Sequence, residues 1–304
     1  MIEIINFFAN ILSYIISPIY SFVENYGLAV ILFTVIVKIV LVPLGIKQQK
    51  TTVKTKMIKP ELEKIQAKYK NDKNKLNEET MKLYQKYGVN PMGGCLPLLV
   101  QLPILLGLYR IIQAPITWFL RKTPDVYIGE EIEKGNFIKD VVMEKIASIG
   151  EKVDFTKFES VKDLLDHLTI NEKIRDLEIK VASELDIIDF NFLGLDLSKT
   201  PSVKEPGLLW IIPILATGSA FFSNWVSQKL NPMSPEQAQQ MKTMNMMMPL
   251  MTAFFTFTLP AGIGLYWFIS TIVSVLQMVL LTKYFEKKYV NKDFVSEKKK
   301  KGKK

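Results

Sequence analysis

The feature that most constrains this chain is how its apolar residues are parcelled: 48% of the 304 residues are hydrophobic, and they gather into blocks separated by charged stretches. An α-helix of about 20 apolar residues crosses roughly 30 Å of hydrocarbon with its backbone groups bonded internally. Five runs meet that description, at 27–46, 94–119, 207–226, 244–259 and 262–282. The pattern is that of an all-α polytopic membrane protein with five transmembrane helices. The fourth run is the shortest, about 24 Å of helix, so it either thins the bilayer locally or extends as a helix into 239–243.

Charge between the runs orients them, because lysine and arginine in short connections accumulate on the cytoplasmic side. Residues 47–93 carry twelve basic and five acidic side chains, and 120–206 carry thirteen and nineteen. The connection 227–243 has two lysines and one glutamate, and the tail 283–304 has ten lysines against three acids. The signs alternate as an N-out, C-in chain requires, with Pro260-Ala261 as a tight outer turn. The long second connection obeys the rule poorly, so 47–93 and the tail carry the orientation.

Within 47–93, Met57, Ile58, Glu61, Leu62 and Ile65 recur at helical spacing, and Met81, Leu83 and Tyr84 do so again after Asn71-Asp72. A basic cytoplasmic helical hairpin is expected, its first helix starting at Lys50 or, if Pro60 opens it, later. Residues 120–206 read as an extracytoplasmic loop, partly helical, with amphipathic spacing over 155–190. Its His167 is the sole histidine and has no companions for a metal site.

Residues 1–26 are apolar but lack a basic n-region and a cleavage site, so they are not read as a cleaved signal. Ser17-Pro18 is expected to interrupt them, which favours a helix lying at the outer interface over a sixth span. The tail 283–304 is a basic segment seeking an acidic partner, either anionic lipid headgroups or ribosomal RNA. Cys95, the one cysteine, is read as a small packing residue.

Lys38 lies near the middle of the first run, and none of the five runs contains aspartate or glutamate. A cation at the bilayer centre costs from about 3 to above 10 kcal/mol, so it marks a functional site by default. A hydrated, polar-lined cavity is the simplest way to keep it charged. Thr34 stands one turn before it, Gln101 and Gln113 lie in the second run, and Ser270, Ser274 and Gln277 in the fifth. Neutral groups of this kind ordinarily tie helices together. The methionines from Met233 to Met251 make an adaptable apolar surface, facing lipid or varied client helices. No hydrolase constellation, phosphate loop or dinucleotide fingerprint occurs, so neither catalysis nor a cofactor is expected.

The order of parts and several motifs resemble the bacterial YidC membrane protein insertase family. TVIVKIVLVPL is similar to its first core helix, LYQKYGVNPMGGCLPLLVQLPILLGLY to its hairpin exit and second helix, and FLGLDLS with WIIPIL to the approach to its third. LPAGIGLYWFISTIVSVLQ is similar to its last helix. The resemblance implies an insertase and folding chaperone of the bacterial inner membrane, with a hydrophilic groove open to the cytoplasm and lipid. It implies that Lys38 is the groove cation, Thr34 a substrate contact, Tyr266 and Trp267 the last-helix contact region, and Gln101 and Gln277 further polar groove positions. Nascent membrane proteins, membrane lipids, the ribosome or anionic lipids through the tail, and the Sec translocon are the partners it suggests. The family usually has arginine where this chain has Lys38, so charge rather than a guanidinium fork must suffice. Two other classes, an anion transporter using Lys38 and a ribosome-tethering scaffold using the tail, predict solute flux and a dispensable Lys38 respectively.

Overall fold

The computed structural model describes residues 2–70, 72–89, 96–121, 182–183, 187–204, 206–230 and 235–290. Side chains at 96–100 and 235–245 lie outside that description, as do Cys95, His167, the amphipathic spacing over most of 155–190, and the tail from 291 onward. Nine helices occupy the described residues: α1 (Ile2–Val23), α2 (Tyr26–Val40), α3 (Val42–Lys68), α4 (Lys73–Tyr87), α5 (Leu96–Gln113), α6 (Pro115–Phe119), α7 (Ile211–Leu230), α8 (Pro235–Thr258) and α9 (Ala261–Val290). A 3-10 turn, Leu208–Trp210, leads into α7, and β1 (Asn191–Phe192) pairs antiparallel with β2 (Leu195–Asp196).

Three of these elements, at Glu3–Val23, Leu208–Leu230 and Ala261–Tyr289, are long and apolar enough to cross a bilayer, and the bent pair α2–α3 makes a fourth if counted as one span. The chain divides into two compact units. One comprises Met1–Thr34, Gln101–Ile214 and Phe254–Trp267, the other Val35–Val100, Leu215–Ala253 and Phe268–Lys304.

In the first unit α1 runs through Pro18 without interruption, contrary to the break expected at Ser17-Pro18. A proline in an apolar helix is tolerated where packed neighbours and hydroxyls re-satisfy the freed backbone. The acceptor that Pro18 frees is the Tyr14 carbonyl, and near it Ser21 donates to the Ser17 carbonyl at 3.1 Å. α1 lies against α5 at Gly107, where a Cβ would meet the backbone and side chain of Phe8 and the Leu12 side chain. Arg110 Nε donates to Asn6 Oδ1 at 3.1 Å, and the Arg121 guanidinium sits 3.7 Å over the Tyr14 ring. α6 buries Ile116 and Phe119, the latter edge-on to Tyr20 at 5.4 Å.

The same unit contains a strap that periodicity did not reveal. Leu193 and Gly194 both have positive φ, as a type I′ hairpin turn requires, and the Gly194 N–H donates to Asn191 Oδ1. Around this hairpin the Tyr26 N–H bonds to the Asp189 carbonyl, while the Ala261 and Gly262 N–H groups bond to the carbonyls of Lys199 and Leu197. Orphan donors at the first turns of α2 and α9 are thereby satisfied.

In the second unit α2 ends at Val40, and α3 sets off after a bend of 58° between the two. Pro43 supplies the reason: lacking an N–H, it cannot continue the ladder. The helical break therefore falls five residues before the expected end of the first run at Ile46. α3 then continues through Pro60 to Lys68, so the first hairpin helix starts neither at Lys50 nor at Pro60. α4 begins where Asp72 accepts from the Lys75 N–H and ends at Gly88 in the left-handed conformation, φ 59°. Ile58, Leu62, Leu83, Tyr87 and Val89 form the buried core between α3 and α4. α8 reaches back to Pro235, so the short fourth run belongs to a longer helix.

Candidate functional site

Lys38 sits in the last turn of α2, in the second unit, half-buried. Its Nζ donates to Ser274 Oγ on α9 at 3.0 Å. The Ser274 hydroxyl in turn donates to the Ser270 carbonyl at 2.8 Å. Among the described residues Lys38 makes no ion pair.

The contact continues along the α2–α3 segment and α9 in parallel. A Cβ on Gly45 would collide with Gln277 Nε2, so the glycine leaves the space that this amide occupies. One turn further, Gln49 Nε2 donates to Thr282 Oγ1 at 2.6 Å, both residues buried. The seam then turns apolar, with Val53 against Phe285 and Tyr289. It ends where Lys56 reaches Glu286 Oε1 at 2.5 Å and the Leu230 carbonyl at 2.8 Å. Residues 38 to 56 thus meet 274 to 289 in one register. One neutral hydroxyl meets Lys38, and among the described residues of this seam an ion pair appears only at the far end.

The first unit holds the other positions singled out from sequence. Thr34 is buried, 1% exposed, and its hydroxyl donates back to the Val30 carbonyl at 2.6 Å. Gln101 Nε2 donates to Tyr266 Oη at 2.6 Å, with the tyrosine buried. Trp267, half-buried, stacks on Phe255 with ring centroids 6.0 Å apart and planes 19° from parallel. Within this unit the structure therefore joins Gln101 to Tyr266, and in the other it joins Lys38 to Ser274 and sets Gln277 against Gly45. Gly45 was not singled out from sequence. Its signal is the absence of a side chain opposite a polar one, which requires knowing which helices pack together.

Two further observations bear on chemistry. Among the described residues no group of three or more His, Cys, Asp and Glu is arranged to hold a metal ion. The hairpin acids are engaged locally: Glu61 accepts from Tyr87 Oη at 2.9 Å and lies near Lys86, while Glu78 and Glu79 both reach Lys82. Burial, and secondarily the Glu61 hydrogen bond, push the Tyr87 phenol up to about 12.

A family model described as "60Kd inner membrane protein" matches residues 18–288. Among curated relatives, the membrane protein insertase YidC of Fusobacterium nucleatum is 28% identical over 93% of this chain and 98% of its own length. The proteins of that name from Wolinella succinogenes and Helicobacter pylori are 31% and 29% identical, over 93% and 94% of this chain. The chain spans 38% of the length of each of those two.

Proposed function

The chain belongs to the 60Kd inner membrane protein family and is a multi-pass protein of the bacterial inner membrane; on that premise we propose that it is a membrane protein insertase and folding chaperone. The relatives of that printed name support the reading, and the fit of the Fusobacterium protein over nearly its whole length supports it for a chain of this size. The observation that carries the mechanism is Lys38, a half-buried cation in an apolar helix, hydrogen-bonded to a neutral hydroxyl.

In this reading the chain has five spans, N-out and C-in, and a hydrophilic groove reached from the cytoplasmic side and from lipid. Lys38 attracts an acidic or polar tail of the client, shortening the dry distance it must cross, and Gln277 offers it an amide. Thr34, Gln101, Tyr266 and Trp267 are the proposed contacts of the first unit. Thr34 is packed closed in this structure and must be uncovered to serve. The client's apolar helix then leaves sideways into lipid, at about 0.8 kcal/mol gained per buried CH₂, with the membrane potential acting on client charges. No nucleotide hydrolysis is required. Nascent membrane proteins and lipids are the primary partners, with the ribosome or anionic lipid for the tail and the Sec translocon as further ones.

Insertion of an acidic-tailed test client into liposomes carrying the full chain tests this. Lys38→Arg is expected to retain most activity and Lys38→Gln to lose about tenfold or more, the worth of one hydrogen-bonded charge. Equal insertion by all three chains removes the cation from the mechanism.

A further inference from the structure

Ser274 reaches Lys38 across 236 residues of sequence, and its geometry gives it a defined hydrogen-bonding role. A serine hydroxyl has one proton and two lone pairs. The Ser274 proton is committed to the Ser270 carbonyl one turn back on α9. Toward Lys38 the oxygen can therefore only accept, and its direction is set by the helix rather than by free rotation. The ammonium has three N–H donors on a flexible four-carbon stem, and this bond uses one. Among the described residues no acceptor takes the other two, which are left to receive a carboxylate.

The surroundings reinforce the point. Lys38 lies three residues before Leu41, where the α2–α3 pair bends by 58°, so α3 does not continue the axis that carries the lysine. Gln277, one turn beyond Ser274 on α9, is seated over Gly45. Ser274 is thus oriented by its bond to the Ser270 carbonyl, and Gln277 occupies the space that Gly45 leaves.

We infer that Ser274 is a positioning residue for insertion: it pins the Lys38 ammonium as a pure acceptor and leaves two N–H donors aimed at the client's acidic group. This rests on the insertase reading and adds to it the residue through which the charge is placed. Ser270 takes part through its backbone carbonyl alone, so its side chain is not required.

The test uses the full chain in liposomes and two versions of a single-span client, one with two aspartates in its translocated tail and one with asparagines there. The measured quantity is the ratio of aspartate to asparagine client inserted. Ser274→Ala is expected to lower that ratio about threefold to tenfold, the loss of one hydrogen bond to a charged group partly replaced by water. Ser274→Thr, which keeps the hydroxyl and the back-bond, restores it. In a Lys38→Gln chain the ratio is already lost, and adding Ser274→Ala changes it no further.

A Ser274→Ala chain that lowers both clients equally, or leaves the ratio intact while Lys38→Gln abolishes it, overturns the role of Ser274 and spares the insertase reading. A Lys38→Gln chain that keeps the full ratio overturns both. Failure of Ser274→Thr to restore the ratio, in a chain with the native unfolding temperature, also overturns the role, because a hydroxyl acceptor would then not be what matters.

Discussion

Lys82 and Lys38 place the same ammonium group in opposite settings. Lys82, on the exposed face of α4, meets Glu78 at 2.6 Å and Glu79 at 2.8 Å, both on its own helix at four and three residues' distance. Hydrogen bonds to Glu78 first and then Glu79 hold it above the ordinary lysine range. Exposed pairs of this kind add little to stability, because water already solvates both partners. Lys38 is half-buried and receives a neutral hydroxyl from a helix remote in sequence. Glu78 and Glu79 neutralise Lys82 where neutralisation matters least, while among the described residues Lys38 has no carboxylate where a counter-charge would bind most strongly. On the proposed reading, a cation kept in that condition serves a partner from outside the chain.

The largest expected effect comes from abolishing this difference. Ser274→Asp would give Lys38 a carboxylate of its own, as Lys82 has, at a position already 3.0 Å from the ammonium. Insertion of an acidic-tailed client into liposomes should fall about tenfold or more, because a charge-assisted bond within the protein competes with the client for the same donors. Retained insertion would show that the free charge of Lys38 is not what the client uses.

A smaller effect is expected from disturbing the seam without touching charge. Gly45→Ala places a methyl where Gln277 Nε2 now sits, so the amide must swing away. Overpacking of this kind costs about 1–3 kcal/mol, to be read as a lower unfolding temperature of the detergent-solubilised chain. Leaving the midpoint unchanged would mean that Gln277 moves freely and is not held by this contact.

The smallest concerns the hairpin and pH. Tyr87 ionises near 10 when unfolded and about 12 when folded, so its contribution is complete below pH 10 and is lost as pH rises toward 12. Spin labels at the exposed positions Lys64 and Gln85 should report separation of α3 from α4 over that interval. Tyr87→Phe removes the dependence that Tyr87 supplies. Equal alkaline sensitivity of the two chains would place the titrating group elsewhere.

Much of the hairpin was legible beforehand. Ile58, Leu62, Ile65, Leu83 and Tyr84 recur at helical spacing and do form or flank its core, because local periodicity and short-range packing say the same thing. Asp72 and Gly88 cap α4 for reasons intrinsic to their side chains. The β1–β2 strap was missed because four paired residues are too few for any period to register, although Leu193-Gly194 is a plausible turn. Proline was the least readable residue. Pro18 and Pro60 lie inside helices, while Pro43 accompanies a bend of 58°. The outcome depends on whether neighbouring groups re-satisfy the freed backbone.

By itself the sequence determined that this chain enters a membrane as helices and that one of those helices carries a cation with no carboxylate in any apolar run, because length, hydropathy and charge are properties of contiguous residues. Only the tertiary structure decided that Ser274 is the hydroxyl that meets Lys38, and that Gly45 makes room for Gln277. Those pairings depend on the register between helices more than 200 residues apart in the chain. Register is set by the summed packing of two helix faces, which no local window contains.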